Sequence, residues 1–203
     1  MEHVDVGQFP SDKTGDDAMT TALLHLEDHY WTESEYLAIG ETLERIELFD
    51  GSLVVIPTPT GGHQHIVTKL VVALYHVARN AGLHVFPGLG IRLSPGHIRI
   101  PDFLITTELN LGERVFDAPV VKLICEVISP SNASADTVQK MRHYANAGIP
   151  WYLLIDPRIE TFHLLRLDGD RYTEHAKAAP GELLELTEPV VATIDPADLL
   201  PPR

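Results

Sequence analysis

The stretch KLICEVISPSNASADTVQK, Lys122 to Lys140, decides how this chain is read. From Leu123 to Ile128 it is apolar except for one carboxylate, Glu126, and the turn-forming SPSN closes it. That length and composition predict a buried strand. The SADTVQK that follows opens an amphipathic helix, SADTVQKMRHYANAG, ending at Gly148. An ionised carboxylate inside a buried strand is expensive unless something pairs with it. Glu126 is therefore either a core acid paired with an arginine or part of a site.

Working outward, the segments alternate in type. WTESEYLAIGET predicts a short helix opened by a capping box of Thr32 and Glu35. RIELFDGSLVVI predicts a hairpin turning at Asp50-Gly51, with Glu47 on the opposite face from Ile46 and Leu48. After PTPTGG, the residues Ile66, Val67, Leu70, Val71, Leu74 and Val77 keep a helical period, and Gly82 closes that helix. HVFPGLGIRL and IRIPDFLIT read as strands joined by SPGH, and TELNLGERVFDAP reads as a polar loop. PWYLLIDP, TFHLLRL and RYTEHAKA complete the strands. The order predicts an α+β or mixed-sheet α/β domain with several antiparallel hairpins.

With 203 residues, 44% of them hydrophobic, one domain over residues 31–203 is expected, preceded by an acidic, mobile arm over residues 1–30. No uncharged apolar run is long enough for a membrane span, and the first residues lack the pattern of a secretory signal. The single cysteine, Cys125, excludes an intramolecular disulfide, fits a reducing cytoplasm, and reads as a small core residue. The formal net charge of −14 argues against a broad nucleic-acid coat, leaving room only for a local basic groove.

A second acid, Asp102 in RIPDFLIT, sits in another strand-like run. Alone, Asp102 could mark a strand end or start a turn. Two acids on neighbouring strands repel, and a divalent cation removes that penalty. Mg²⁺ takes hard oxygen ligands and commonly only one or two protein carboxylates. Such an ion suits phosphodiester hydrolysis, where it polarises the phosphate and activates water. A lysine nearby, Lys122 or Lys140, could orient that water; Lys140 could equally form an i,i+4 pair with Asp136. Glu47 reads either as a third ligand or as a solvent-facing hairpin residue. His63 reads as a catalytic assistant or as a helix-start residue. His63 and His65 lack the cluster a zinc site needs.

These residues also carry a resemblance. Pro101-Asp102, then Glu126-Val127-Ile128-Ser129-Pro130-Ser131, then Asp136 with Lys140, then Tyr144 through Gly148-Ile149-Pro150 to Trp151-Tyr152 stand in the order of the Uma-type restriction endonuclease family, a branch of the PD-(D/E)xK nucleases. Upstream, Glu47 and His63 match that family's Glu-Leu-x-Asp-Gly and His-Gln stretches, so the similarity spans about residues 31–175. The resemblance implies a restriction endonuclease-like core, DNA as substrate, and Mg²⁺ (or Mn²⁺ in its place) on Asp102 and Glu126. It adds Lys140, Glu47 and His63 to the catalytic set. The superfamily's usual Glu-x-Lys would place lysine at Ile128, so Lys140 on the helix takes that role. The alternative is a catalytically silent scaffold or binding module of the same fold, acting as a homodimer.

Overall fold

The computed structural model describes residues 29–129 and 135–201, the side chains of residues 135–137 aside. Residues 1–28 of the expected N-terminal arm, Pro130-Ser131 of the motif and the Asp136 side chain of a pair with Lys140 lie outside the described residues. Helix α1 (Glu33–Ala38) begins at the capping box, where the Thr32 side chain accepts from the Glu35 amide and the Glu35 carboxylate accepts from the Thr32 amide. Strands β1 (Arg45–Phe49) and β2 (Ser52–Ile56) form the hairpin. Its turn residues, Asp50 at φ 47° and Gly51 at φ 73°, give the left-handed pair that a two-residue hairpin favours.

Helix α2 (Gly61–Asn80) is capped by Thr60, whose side chain accepts from the His63 amide. It buries Ile66, Val67, Leu70, Leu74 and Ala78 as one stripe. The chain then runs through β3 (His84–Pro87), β4 (Gly90–Ser94), β5 (His97–Arg99) and β6 (Phe103–Thr106). Each stretch read as one strand is in fact two, and the halves belong to different sheets. Pro87-Gly88 breaks the first, with Gly88 at φ 62°, and Ile100-Pro101 breaks the second. The expected loop before Val121 contains a further short strand, β7 (Val115–Asp117), and a 3₁₀ turn, Ala118–Val120. After β8 (Val121–Val127) come α3 (Ala135–Asn146), β9 (Trp151–Asp156), β10 (Thr161–Asp168) and β11 (Arg171–Ala178). The tail supplies β12 (Leu184–Leu186), β13 (Ala192–Ile194) and α4 (Pro196–Leu199).

The larger sheet has the order β11-β10-β9-β8-β6-β3 and is antiparallel except at β8-β9, where the parallel pairing is closed by the α3 crossover. Alternation along its strands splits its residues between two cores. Phe103, Ile105, Leu123, Cys125, Trp151 and Leu153 pack with α2 and the C-terminal hairpin. Leu104, Ile124 and Tyr152 pack on the other face with Tyr144 and Ile149. The smaller sheet, β2-β1-β5-β4-β7, packs Leu48, Ile98 and Val115 against Trp31, Tyr36 and Leu37. Among the described residues, no helix is long and apolar enough to cross a membrane.

Candidate active site

The β6-β8 register brings the two acids together. Phe103 pairs with Cys125 in antiparallel sense, so Asp102, one residue earlier, comes beside Glu126, one residue later. The Val127 amide donates to Asp102 Oδ2 at 2.9 Å and fixes this juxtaposition. Both residues are 7% exposed. They line a cleft of about 380 Å³ with Arg45, His63 and Lys140, walled by Ile56 to Thr60, Ile128, Ser129 and Pro201. The cleft opens at the carboxyl ends of the parallel strands β8 and β9, the end at which open sheets commonly receive ligands.

Each carboxylate has its own donors. Asp102 Oδ1 faces His63 Nε2 at 3.1 Å and Arg45 Nη1 at 3.3 Å. Glu126 Oε1 accepts from the Tyr144 hydroxyl at 2.7 Å, and Oε2 pairs with Lys140 Nζ at 3.1 Å. The two acids therefore titrate in opposite directions. Burial works against the Asp102 carboxylate, yet His63, the Val127 amide and Arg45 together hold it below its ordinary value. Burial pushes Glu126 up to about 7; Lys140 opposes that shift, neighbouring Asp102 adds to it, the Tyr144 hydrogen bond opposes it, and Glu47 adds a little more.

His63 reaches Asp102 because the Thr60 cap starts α2 at the cleft's rim. His65, two residues on, faces a different concavity with Lys69, Glu160 and Asp198, so the histidines do not converge. Lys140 reaches Glu126 from α3, the helix crossing over between their strands. Lys122 sits near the opposite end of β8 and donates to the Pro119 carbonyl. Cys125 points into the α2 core.

Glu47 is neither solvent-facing nor part of the cleft lining. It is 0% exposed, accepts from Arg99 Nη1 at 2.6 Å and from the Ile100 amide at 2.8 Å. Arg45, two residues earlier and so on the same strand face, donates to the Ile100 carbonyl at 2.6 Å. Glu47 and Arg45 thus clamp the segment that passes between the sheets and delivers Asp102. Beyond it, Phe49 stacks with His97 (4.9 Å) and with His143 (4.8 Å), and Arg99 lies over its ring at 4.8 Å. These contacts dock the end of α3, and with it Lys140, on the smaller sheet. Arg45 had no signal in the sequence, because its partner lies 57 residues away. Tyr144 stands at the i+4 position from Lys140 on α3, a spacing that places both on one helix face.

Among the described residues, no cluster of three or more His, Cys, Asp or Glu side chains is arranged to hold a metal ion. Two buried carboxylates on one cleft wall nonetheless suit an ion that keeps most of its ligands as water. Burial raises Glu126, so its ionised form is costly there even with Lys140 beside it, and a cation would offset that cost.

A mixed sheet with one parallel pair, its crossover helix, and Glu126 on that pair beside Asp102 agrees with the restriction endonuclease-like core that the sequence resemblance implies. A family model, Uma2, described as "Putative restriction endonuclease", matches residues 33–197. The chain belongs to that family. The match takes in the tail beyond residue 175, which the sequence resemblance left out. No curated protein matches the chain. Among solved structures, a protein from Anabaena variabilis ATCC 29413, described as a putative nuclease belonging to DUF820, is similar with a TM-score of 0.66 at 19% identity, over 83% of this chain and 96% of that one. At that identity the likeness is one of fold.

Proposed function

We propose that this protein is a nuclease that hydrolyses DNA phosphodiester bonds with Mg²⁺, or Mn²⁺ in its place. The observation that carries the reading is the pair of buried carboxylates, Asp102 and Glu126, side by side at one cleft with Lys140 against them. Family membership supports the same class. Asp102 and Glu126 would hold the cation. Bound there, it would supply positive charge to a phosphate oxygen and lower the pKa of a water.

The chain's own groups do the rest. Arg45, beside Asp102, and the amino end of α2, at Gly62, line the same cleft and would offer donors to phosphate oxygens. His63 and Arg45 keep Asp102 ionised and oriented. Lys140, once turned from Glu126, can donate to the attacking water or to the phosphate and offset the charge that builds on phosphorus. Pro57, Pro59 and Pro201 stiffen the rim.

A second reading, a silent scaffold of the same fold acting as a dimer, is favoured by the net charge of −14 and by the ion pair that already occupies Lys140 with Glu126. Purified protein on supercoiled and linear DNA at low salt with Mg²⁺ or Mn²⁺ separates the two. The nuclease cuts, Glu126→Gln does not, and Lys140→Ala does not although it still binds the ion. Equal background from wild type and Glu126→Gln on every DNA would sustain the scaffold.

A further inference from the structure

Three tyrosines stand together on the sheet face that carries Glu126. Tyr152 on β9 lies between Tyr144, at 5.8 Å between ring centroids, and Tyr172, at 5.5 Å. The outer two are satisfied: Tyr144 donates to Glu126 and Tyr172 donates to the Ile149 carbonyl at 2.7 Å. The middle hydroxyl is not. Tyr152 is 0% exposed and its oxygen has no hydrogen-bond partner among the described residues. A buried hydroxyl without a partner costs stability, and phenylalanine would fill the same space without that cost. Such an orphan calls for a reason beyond packing.

Its surroundings narrow the reason. In the parallel β8-β9 register Ile124 pairs with Tyr152 and Glu126 with Leu154, so Tyr152 and Glu126 share a face, two residues apart along neighbouring strands. Both line the cleft. Burial raises the Tyr152 hydroxyl pKa well above its ordinary value, and Glu126 is the charged neighbour that adds most to that shift. The hydroxyl itself has no room beside it for solvent, so it cannot meet a substrate directly. The charged acceptor that shares its sheet face and its cleft is the Glu126 carboxylate.

We propose that Tyr152 is a positioning residue, a stand-by hydrogen-bond donor that takes up the Glu126 carboxylate when Lys140 leaves it. In the present arrangement Tyr144 holds Oε1 and Lys140 holds Oε2. The catalytic reading, on which this inference rests, needs Lys140 to turn toward water or phosphate. That move would strip one donor from a buried carboxylate. Tyr152 replaces it and keeps Glu126 aligned, and the orphan hydroxyl is the standing cost of that readiness.

A double-mutant cycle tests the contact without metal or DNA. Wild type, Tyr152→Phe, Lys140→Met and the double variant are melted at pH 8 in chelator. Tyr152→Phe alone should melt at or above wild type. The double variant should melt lower than the two single shifts together allow, by about 2–4 °C, the signature of coupled residues. Additive shifts overturn the proposal. A crystal structure of Lys140→Met adds a direct check: the Tyr152 hydroxyl should lie within hydrogen-bond distance of Glu126, and a hydroxyl still without a partner overturns it as well. With active wild type, Tyr152→Phe should lower kcat at least 10-fold with KM unchanged, a split that a packing role would not produce. If wild type cuts no DNA but the cycle is non-additive, the nuclease reading fails and the stand-by contact stands. If wild type cuts and the cycle is additive, the reverse holds.

Discussion

Replacing Glu126 with glutamine should favour the folded state increasingly as pH rises. In the folded protein burial carries this carboxyl from its ordinary 4.5 up to about 7, with Asp102 and Glu47 adding to the shift and Lys140 and Tyr144 opposing it. A raised carboxyl binds its proton more tightly folded than unfolded. Between about pH 4.5 and 7 the folded state therefore carries more protons, and stability falls as pH rises through that window. Above pH 7 the ionised Glu126 costs on the order of 3 kcal/mol relative to its protonated form. Glutamine has no such titration. Melts of wild type and Glu126→Gln in chelator at pH 5 and pH 8 yield the difference of differences, in which the other groups cancel to first order. Glutamine should gain on wild type by about 3 kcal/mol between the two pH values, or roughly 6–12 °C for a chain of this length. A gap between the two proteins that stays constant from pH 5 to 8 would show that burial does not raise Glu126, and the electrostatic case for a cation there would collapse.

Asp102→Asn should behave in the opposite sense. His63, Arg45 and the Val127 amide lower the Asp102 pKa, so its contribution is present above the ordinary 3.8 and lost as pH falls through the folded value. The asparagine variant should lose about 1–3 kcal/mol at pH 7 by thermal melt, and the Mg²⁺-dependent rise in melting temperature should vanish with it; a more stable variant at pH 7 would contradict the hydrogen-bond assignment. Arg99→Met leaves the fully buried Glu47 without its cation and should cost about 3–5 kcal/mol in chemical denaturation. A variant that unfolds like wild type would mean that Glu47 is held by other groups. Thr60→Ala removes the cap at the cleft end of α2 and should cost about 1 kcal/mol in the same assay, an unchanged midpoint counting against the cap.

Local chemistry made much of this molecule legible in its sequence. Thr32 and Glu35 announce α1, Asp50-Gly51 announces the first hairpin, and the spacing of Ile66 to Val77 announces α2, because each signal acts within a few residues. Glu126 stood out because a charge in an apolar strand needs a reason. The sheet assignments were not legible. HVFPGLGIRL and IRIPDFLIT look continuous, yet each crosses between sheets at its proline, and no local pattern says which partner the second half will take. The loop before Val121 hid β7, whose three residues are too few for a periodic signal. In the sequence Glu47 reads as a third ligand or a solvent-facing hairpin residue, and its face proves to be interior because Arg99 comes from a strand 52 residues away. Arg45 and Tyr152 act through equally distant partners or through the lack of one, which only the packed structure reveals.

Manganese soaked into crystals, followed by an anomalous difference map, tests the central claim most directly. The expected result is one peak in the cleft, about 2.0–2.2 Å from an oxygen of Asp102 and an oxygen of Glu126, with the Lys140 ammonium withdrawn from Glu126 Oε2. A map with no peak between those carboxylates, or with Lys140 still at the 3.1 Å of the present structure while metal binds elsewhere, would contradict it.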